Sequence, residues 1–246
     1  MSVARAIKTI LIAPALVLAT GVLPAGEAED LLRRSDAGVL APPAFRARLA
    51  VEGQPAKGPH EIEVWRSGDS MLVRFLDAKE RGKFVVQHEG EQWLIAPGAR
   101  KPVRLKTSYR LYGGVTLEQI FSVPLERAYT IESARRESDA GGGLAVFELR
   151  ARSPATLFPS ARYIVREAAK RPVSALYRLR SGREAIAIEF FDWTERGPAY
   201  ARRVTLRDLL RKGAASEVTV LELEEEKVPA ALFDLENATA RGALPP

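Results

Sequence analysis

Ser70 and two histidines are the side chains of this sequence whose types could support hydrolysis. Ser70 lies in the segment Gly68-Asp69-Ser70-Met71, and a serine nucleophile needs a histidine base within hydrogen-bonding reach. His60 and His88 are the only histidines of the 246 residues. Both come early in the chain, whereas such a base usually comes late, and no Gly-x-Ser-x-Gly elbow is present. The sequence therefore favours a hairpin turn at this segment and no enzyme.

Metal and phosphate sites are also poorly supported by the sequence. The chain has no cysteine, which excludes disulfides, thiolate nucleophiles and cysteine-ligated metals. Two isolated histidines do not have the spacing of a zinc site. The glutamates within 222–226 lack the ligand loop of a calcium site, and the glycines at 141–143 lack the strand–loop–helix context of a phosphate cradle. The sequence therefore predicts neither a metal nor any other cofactor.

The first 28 residues have the pattern of a secretory signal peptide. A positive segment with Arg5 and Lys8 precedes an apolar run over 10–23, which is too short to span a bilayer comfortably. Gly26-Glu27-Ala28 then places small residues at the positions that a signal peptidase reads. We expect cleavage after residue 28, with an uncleaved membrane anchor as the alternative.

The remaining chain, residues 29–246, is expected to form a single domain. The sequence is 46% hydrophobic, which is enough to bury a sizeable core. The whole chain carries a net charge of +6. An exported protein does not meet nucleic acid, so the positive charge favours anionic lipid or an acidic partner. Because no cysteine follows the signal, no lipidation site is available, and we expect a soluble mature protein. We also expect a monomer.

Short alternating segments dominate the domain. The stretch from Arg81 to Leu105 has the pattern of a hairpin and a third strand, with turns at His88–Glu91 and at Pro97-Gly98. Ten or more such strands recur about every ten residues, which favours an antiparallel barrel or sandwich. Two helices are predicted, at Asp30–Asp36 and at Val115–Ser122.

The large apolar side chains of these strands are predicted to share one inward face. Charged and polar residues such as Arg74, Lys83 and Gln87 occupy the adjacent positions. An apolar interior of this kind suits an acyl chain, because each buried CH₂ contributes about 0.8 kcal/mol. An ordinary filled core is the alternative. The predicted lining residues are Trp65, Met71, Val73, Phe75, Phe84, Val86, Trp93, Ile95, Phe147, Tyr163, Tyr177 and Phe190.

Several short segments resemble the LolA-like outer-membrane lipoprotein-sorting family, in its broad branch. They are Arg81–Phe84, Gln92–Pro97, Arg100–Leu105, Gly113–Ile120 and Pro229–Phe233. The resemblance covers most of residues 29–246. One departure from the family pattern is Ile95, which stands where the family often has tyrosine.

This resemblance implies a mainly β fold, namely an unclosed antiparallel β-barrel whose open side is plugged by short helices. It also implies a soluble periplasmic carrier that binds lipoprotein acyl chains, or another lipid, between the inner and outer membranes. An inner-membrane transporter and an outer-membrane acceptor are the implied partners. In such a barrel, Leu117, Ile120 and Phe121 would form a lid over the apolar groove.

Two other functions remain open at this point. A periplasmic sensor of the same fold would bind a membrane partner protein, although such sensors usually carry a second domain. An exported lipid-modifying enzyme would need a catalytic constellation that the sequence does not provide. The identity of the cargo is not determined by the sequence.

Overall fold

The structure, a computed structural model, describes eight stretches of the chain. These are residues 18–39, 42–53, 58–99, 101–105, 125–154, 156–195, 200–211 and 214–236. The predicted helix at Val115–Ser122 and the predicted lid residues Leu117, Ile120 and Phe121 lie outside them.

Fourteen strands make up one antiparallel sheet in the described chain. The strands are β1 (Leu18–Val22), β2 (Ala44–Gly53), β3 (His60–Ser67), β4 (Ser70–Phe75), β5 (Phe84–His88), β6 (Glu91–Ile95), β7 (Val103–Arg104), β8 (Tyr129–Asp139), β9 (Gly142–Ala151), β10 (Ser160–Arg166), β11 (Arg171–Arg178), β12 (Glu184–Trp193), β13 (Ala201–Asp208) and β14 (Ala214–Glu225). Their spatial order is β1-β8-β9-β10-β11-β12-β13-β14-β2-β3-β4-β5-β6-β7.

Two meanders form this sheet and are joined side by side. Strands β8 to β14 follow one another as hairpins, and so do β2 to β7. The last strand of the second half of the chain, β14, pairs with β2, which joins the two meanders. Strands β1 and β7 are the two edges, and the sheet does not close into a barrel. The predictions of a single antiparallel sheet, of ten or more strands and of an unclosed architecture are confirmed.

Two α-helices accompany the sheet in the described residues, α1 (Ala25–Val39) and α2 (Leu125–Ala128), together with a 3-10 turn at Ala230–Leu232. The predicted helix over residues 30–36 is confirmed within α1. Leu31 and Leu32, its predicted apolar side, are buried where α1 packs near β8, β11 and α2. Within the described part of the chain, neither helix has the length and apolarity needed to cross a membrane.

The main core lies on the inner face of the sheet, which is the face that carries α1. Strand β2 shows why the sequence folds this way, because buried and exposed side chains alternate along it. Phe45 and Leu49 are 1% and 3% exposed, whereas Arg46 and Arg48 between them point to solvent. The same alternation in the other strands joins their inner residues and α1 into one apolar cluster.

A second, smaller core lies on the outer face of the sheet. Its strand residues come from β3 to β6, and the C-terminal segment covers them with Val228 and Phe233. Both covering residues are buried. The C-terminal segment therefore contributes to stability through a core that is separate from the inner one. The strand residues of this second core are Trp65, Leu72, Phe84, Val86 and Ile95.

Several arginines on the outer face pair with glutamates across strands. Glu63, only 5% exposed, accepts a hydrogen bond from Arg46 Nε at 2.6 Å and another from Arg74. Both guanidinium groups lie over the Trp65 ring, at 5.8 Å and 5.2 Å from its centroid. The two arginines, which lie on the strands either side of Glu63, offset the cost of burying its carboxylate.

Candidate functional site

The predicted lining residues fall on both faces of the sheet, so the prediction that they share one face is wrong. One group belongs to the inner face, either in the main core or packed against it. Its members are Met71, Val73, Phe75, Phe147, Tyr163, Tyr177 and Phe190. The other group belongs to the outer face and lies largely under the C-terminal segment. Its members are Trp65, Phe84, Val86 and Ile95, with Trp93 directly across from Val86.

Strand register is the physical reason for this division. Val73 pairs with Val85, and Arg74 pairs with Phe84. Directly paired residues share a face, so Phe84 lies on the side of Arg74 and away from Val73. The sequence shows the alternation within each strand, but a shift of one residue between strands exchanges the faces. The sequence alone did not determine that shift.

Half-buried apolar side chains on β12, β13 and β14 mark one accessible part of the inner face. Phe190, Val204, Val220 and Leu223 pack against the main core without being fully buried. They come from β12, β13 and β14, and Phe190 pairs with Val204. We call these four residues the inner strip. Only Phe190 was predicted, because the three aliphatic residues differ from ordinary core residues in exposure, which the sequence does not reveal.

Arg66 is a charged residue on the inner face of the sheet. It pairs with Phe45 on one side and with Met71 on the other, and both are inner-core residues. Its Nε donates to the Gly68 carbonyl oxygen at 3.0 Å. Its Nη1 is buried and has no hydrogen-bond partner within the described chain. Burial lowers the pKa of Arg66, although Asp69 opposes this effect.

A polar cluster lies where α1 meets α2 on the inner face. Ser35 and Asp36 are buried, and Asp36 accepts a hydrogen bond from the backbone N–H of Leu125. Burial raises the pKa of the Asp36 carboxyl to about 7, although backbone hydrogen bonds from Leu125 and Glu126 oppose the shift. Burial also raises the pKa of Tyr163, a neighbouring inner residue. The cluster ties α1 to the start of α2.

Ser70 and His88 contact each other, a pairing that the sequence argument missed. Ser70 Oγ lies 2.8 Å from His88 Nδ1, and His88 Nε2 lies 3.9 Å from a Glu89 carboxylate oxygen. The contact follows from register, because β4 and β5 are paired and Met71 faces Gln87 one step before it. Both His88 and Glu89 are at least half exposed, so this arrangement lacks the water-excluding pocket of a hydrolase.

His60 is placed by a different contact. Its Nδ1 lies 2.6 Å from Asp77 Oδ2. Across the described ranges, no group of three or more histidine, aspartate or glutamate side chains is arranged to hold a metal ion. The two histidines therefore serve separate polar contacts in different parts of the sheet.

Comparison with solved structures places this geometry among known folds. A LolA superfamily protein from Nitrosomonas europaea matches with a TM-score of 0.74 at 21% identity, covering 85% of this chain and 98% of that one. A putative outer-membrane lipoprotein-sorting protein domain from Vibrio parahaemolyticus matches with a TM-score of 0.71 at 15% identity, covering 88% and 100%. A DUF1329 family protein from Desulfovibrio piger matches with a TM-score of 0.70 at 13% identity, covering 87% and 98%.

An unclosed sheet with an apolar inner face thus defines a protein of the LolA fold, and the fold that the resemblance implied is confirmed. A family model described as an uncharacterized protein matches residues 67–238. That match covers more than half of the chain, so the chain belongs to this family. No curated protein matches the sequence.

Proposed function

We propose that this chain is a periplasmic carrier that binds the acyl chain of a lipoprotein or of another lipid on the inner face of its sheet. The inner strip is the observation that carries the proposal. Four apolar side chains on three adjacent strands remain partly accessible beside a fully packed core. A long apolar ligand would bury them and gain about 25 cal/mol for each Å² removed from water.

Arg66 supports an amphipathic ligand with an anionic group. The Nη1 donor of Arg66 is buried without a partner in the described chain, so folding has already removed it from water. A ligand that accepts its hydrogen bond therefore incurs no further cost of desolvating this donor. Strand β3, which carries Arg66, is separated from β14 of the inner strip by β2 alone. An acyl chain along the strip would therefore place its polar end within reach of this guanidinium.

The proposed carrier also has a lid and two partners. Leu117, Ile120 and Phe121 are the proposed lid. An inner-membrane transporter is proposed to supply the cargo, and an outer-membrane acceptor to receive it. The proposed groove excludes the predicted lining residues that the structure places on the outer face, such as Phe84 and Ile95. The ligand-binding residues are the inner strip together with Arg66.

Export to the periplasm is proposed from the signal-like pattern of the first 28 residues. Cleavage before Glu29 would remove β1 and the first turn of α1, and with them the buried side chains of Leu23 and Ala28. Strand β8 would then become the sheet edge. N-terminal sequencing of the protein from its native host should find a start near Glu29. Retention of Met1 in a membrane fraction would contradict this part of the proposal.

Native mass spectrometry of the protein purified from periplasm tests the carrier function directly. We expect a co-purifying lipid, and we expect the delipidated protein to bind a fluorescent fatty acid that unlabelled fatty acid displaces. If the protein carries no lipid and takes up no acyl probe, the carrier proposal is wrong.

Val220→Asp locates the site, with Leu221→Asp as its matched control. Val220 belongs to the inner strip, whereas Leu221 is 41% exposed at a bulge in the same strand. A carboxylate facing the acyl chain costs several kcal/mol of binding. We therefore expect Val220→Asp to lose probe binding while Leu221→Asp keeps it, with circular dichroism verifying that both are folded. Equal binding by the two variants would exclude the inner strip as the site.

A further inference from the structure

Three neighbouring turns lie side by side on one rim of the sheet. The chain reverses after β9, after β11 and after β13, and these strands belong to a single antiparallel meander. Alternate turns of a meander lie on the same rim, so these three turns are neighbours. Arg180 Nη2 donates to the Pro154 carbonyl oxygen at 2.8 Å, which links the second turn to the first. The Leu209 N–H donates to Ala185 O at 2.8 Å, which links the third turn to the start of β12, just after the second turn.

Exposed leucines are concentrated in the first and third of these turns. Leu157 is 68% exposed, Leu209 is 37% exposed and Leu210 is 40% exposed. In a chain that buries most of its large apolar side chains, three exposed leucines on one rim indicate a surface that contacts something apolar.

Arginines without carboxylate partners surround these leucines. Arg152, Arg180 and Arg183 are exposed, and no carboxylate of the described chain pairs with any of them. This distinguishes them from the arginines on the outer face of the sheet, many of which pair with glutamates on neighbouring strands. We call the set of Arg152, Leu157, Arg180, Arg183, Leu209 and Leu210 the Leu–Arg rim.

The opposite rim has a different character. The turns after β8 and β10 carry Asp139 and Glu167, and these acids pair with Arg166 and Arg136. Lys170 is the basic residue of the second of these turns. The combination of unpaired positive charge with exposed leucine is therefore particular to the Leu–Arg rim among the described turns of this meander.

We propose that the Leu–Arg rim docks the protein on an anionic lipid bilayer. Arginines at the headgroup level attract anionic phosphates, and leucines beside them enter the boundary between headgroups and acyl chains. Each arginine close to such a surface strengthens binding about fivefold. An acidic protein would satisfy the arginines but would leave the spaced leucines without an apolar environment. This docking surface does not depend on the proposed acyl-chain site, because it lies on the exterior.

Co-sedimentation with vesicles tests the electrostatic part of the proposal. The purified protein should bind vesicles containing phosphatidylglycerol, should not bind pure phosphatidylcholine vesicles, and should dissociate as salt is added. Arg180→Gln with Arg183→Gln should weaken binding about 25-fold. The matched control is Lys170→Gln with Arg202→Gln, which removes the same charge from exposed residues at the opposite rim and should weaken binding far less.

A leucine pair tests the apolar part. Leu157→Ser should weaken binding to the anionic vesicles roughly tenfold, because the variant has no leucine side chain to transfer from water into the bilayer at this position. Leu221→Ser removes a leucine that is 41% exposed, against 68% for Leu157, from β14 outside the rim, and should have no effect.

The outcomes separate the possibilities. Loss of binding in both rim variants and retention in both controls supports the proposal. Equal loss in the two charge variants would show that only net charge matters, and unchanged binding of Leu157→Ser would exclude insertion of that leucine; either result overturns the proposal. It is also overturned if the wild-type protein does not bind anionic vesicles. If the protein then binds an acidic polyglutamate peptide, and Arg180→Gln with Arg183→Gln weakens that binding, the rim is a protein-binding surface.

Discussion

The carboxylate of Asp36 in α1 accepts a hydrogen bond from the backbone N–H of Leu125, the first residue of α2. The two residues are 89 positions apart in the chain. Because Asp36 is 4% exposed, its carboxyl group has been removed from water, and backbone hydrogen bonds from Leu125 and Glu126 offset only part of the cost of ionising it. A buried ionisable group of this kind makes the stability of the protein sensitive to pH.

We expect the free energy of unfolding to fall as the pH rises from about 4 to about 7. Burial raises the pKa of Asp36 from 3.8 to about 7, so the folded protein holds a proton that the unfolded chain has released in this range. The stability that this proton contributes is fully present below pH 3.8 and is lost as the pH rises through about 7. The shift corresponds to about 4 kcal/mol over the whole range. Urea unfolding at several pH values measures it.

Asp36→Asn is the control for this pH dependence. The asparagine oxygen can still accept the hydrogen bond from Leu125, but the side chain does not ionise. The variant should show a flatter profile between pH 4 and 7 and should be more stable than wild type at pH 8. Identical pH profiles for the two proteins would show that Asp36 is not the titrating group.

Replacing Phe84 by alanine should mainly lower stability, whereas replacing Phe190 by alanine should mainly weaken binding of the acyl probe. Phe84 is 8% exposed in the outer core, so Phe84→Ala should cost about 3 to 5 kcal/mol of stability and leave the affinity for an acyl probe unchanged. Phe190 is partly accessible on the inner strip, so Phe190→Ala should cost less stability but weaken probe binding. Urea unfolding and probe titration measure the two effects. Weaker probe binding by folded Phe84→Ala would place the ligand on the outer face instead.

The reversal of the expectation for Phe84 shows where sequence reasoning ended. Alternation along single strands was enough to predict an antiparallel sheet of ten or more strands. The face on which Phe84 lies depends on its pairing with Arg74, and no local pattern encodes that pairing. Arg66 was missed for the same reason, since its inward orientation follows from pairing with Phe45 and Met71.

Hydrogen-bonded pairs between strands were equally invisible in the sequence. Ser70 and His88 are 18 residues apart and meet only because β4 and β5 form a hairpin. The early position of His88 in the chain therefore does not keep it from contacting Ser70. The exposure of this pair to water is what disfavours catalysis by Ser70.

The Ser70–His88 pair is expected to be chemically unreactive. Its side chains lie on the surface, so a developing oxyanion would be solvated by water and not by fixed donors. A fluorophosphonate probe should therefore label the wild-type protein no faster than it labels the Ser70→Ala variant. Stoichiometric labelling that is lost in both Ser70→Ala and His88→Ala would instead establish a serine hydrolase.

Arg66→Met tests whether the inner face recognises an anionic headgroup. The variant keeps a long apolar side chain but removes the guanidinium whose Nη1 is buried without a partner in the described chain. A hydrogen bond to a charged group is worth about 1.5 to 3 kcal/mol, so fatty-acid binding should weaken roughly 10- to 100-fold. A fatty alcohol with the same chain length carries no charge, and its affinity should not change.

The comparison of the two ligands separates recognition from structural damage. Arg48→Met, which removes an exposed outer-face arginine that pairs with Glu61, should leave both affinities unchanged. If Arg66→Met weakens the acid and the alcohol equally, then the guanidinium only shapes the inner face. If neither affinity changes, the ligand's polar end lies elsewhere. A selective loss for the acid would fix the orientation of the acyl chain, with its charged end at β3 and its apolar end along Leu223 and Val220 of β14.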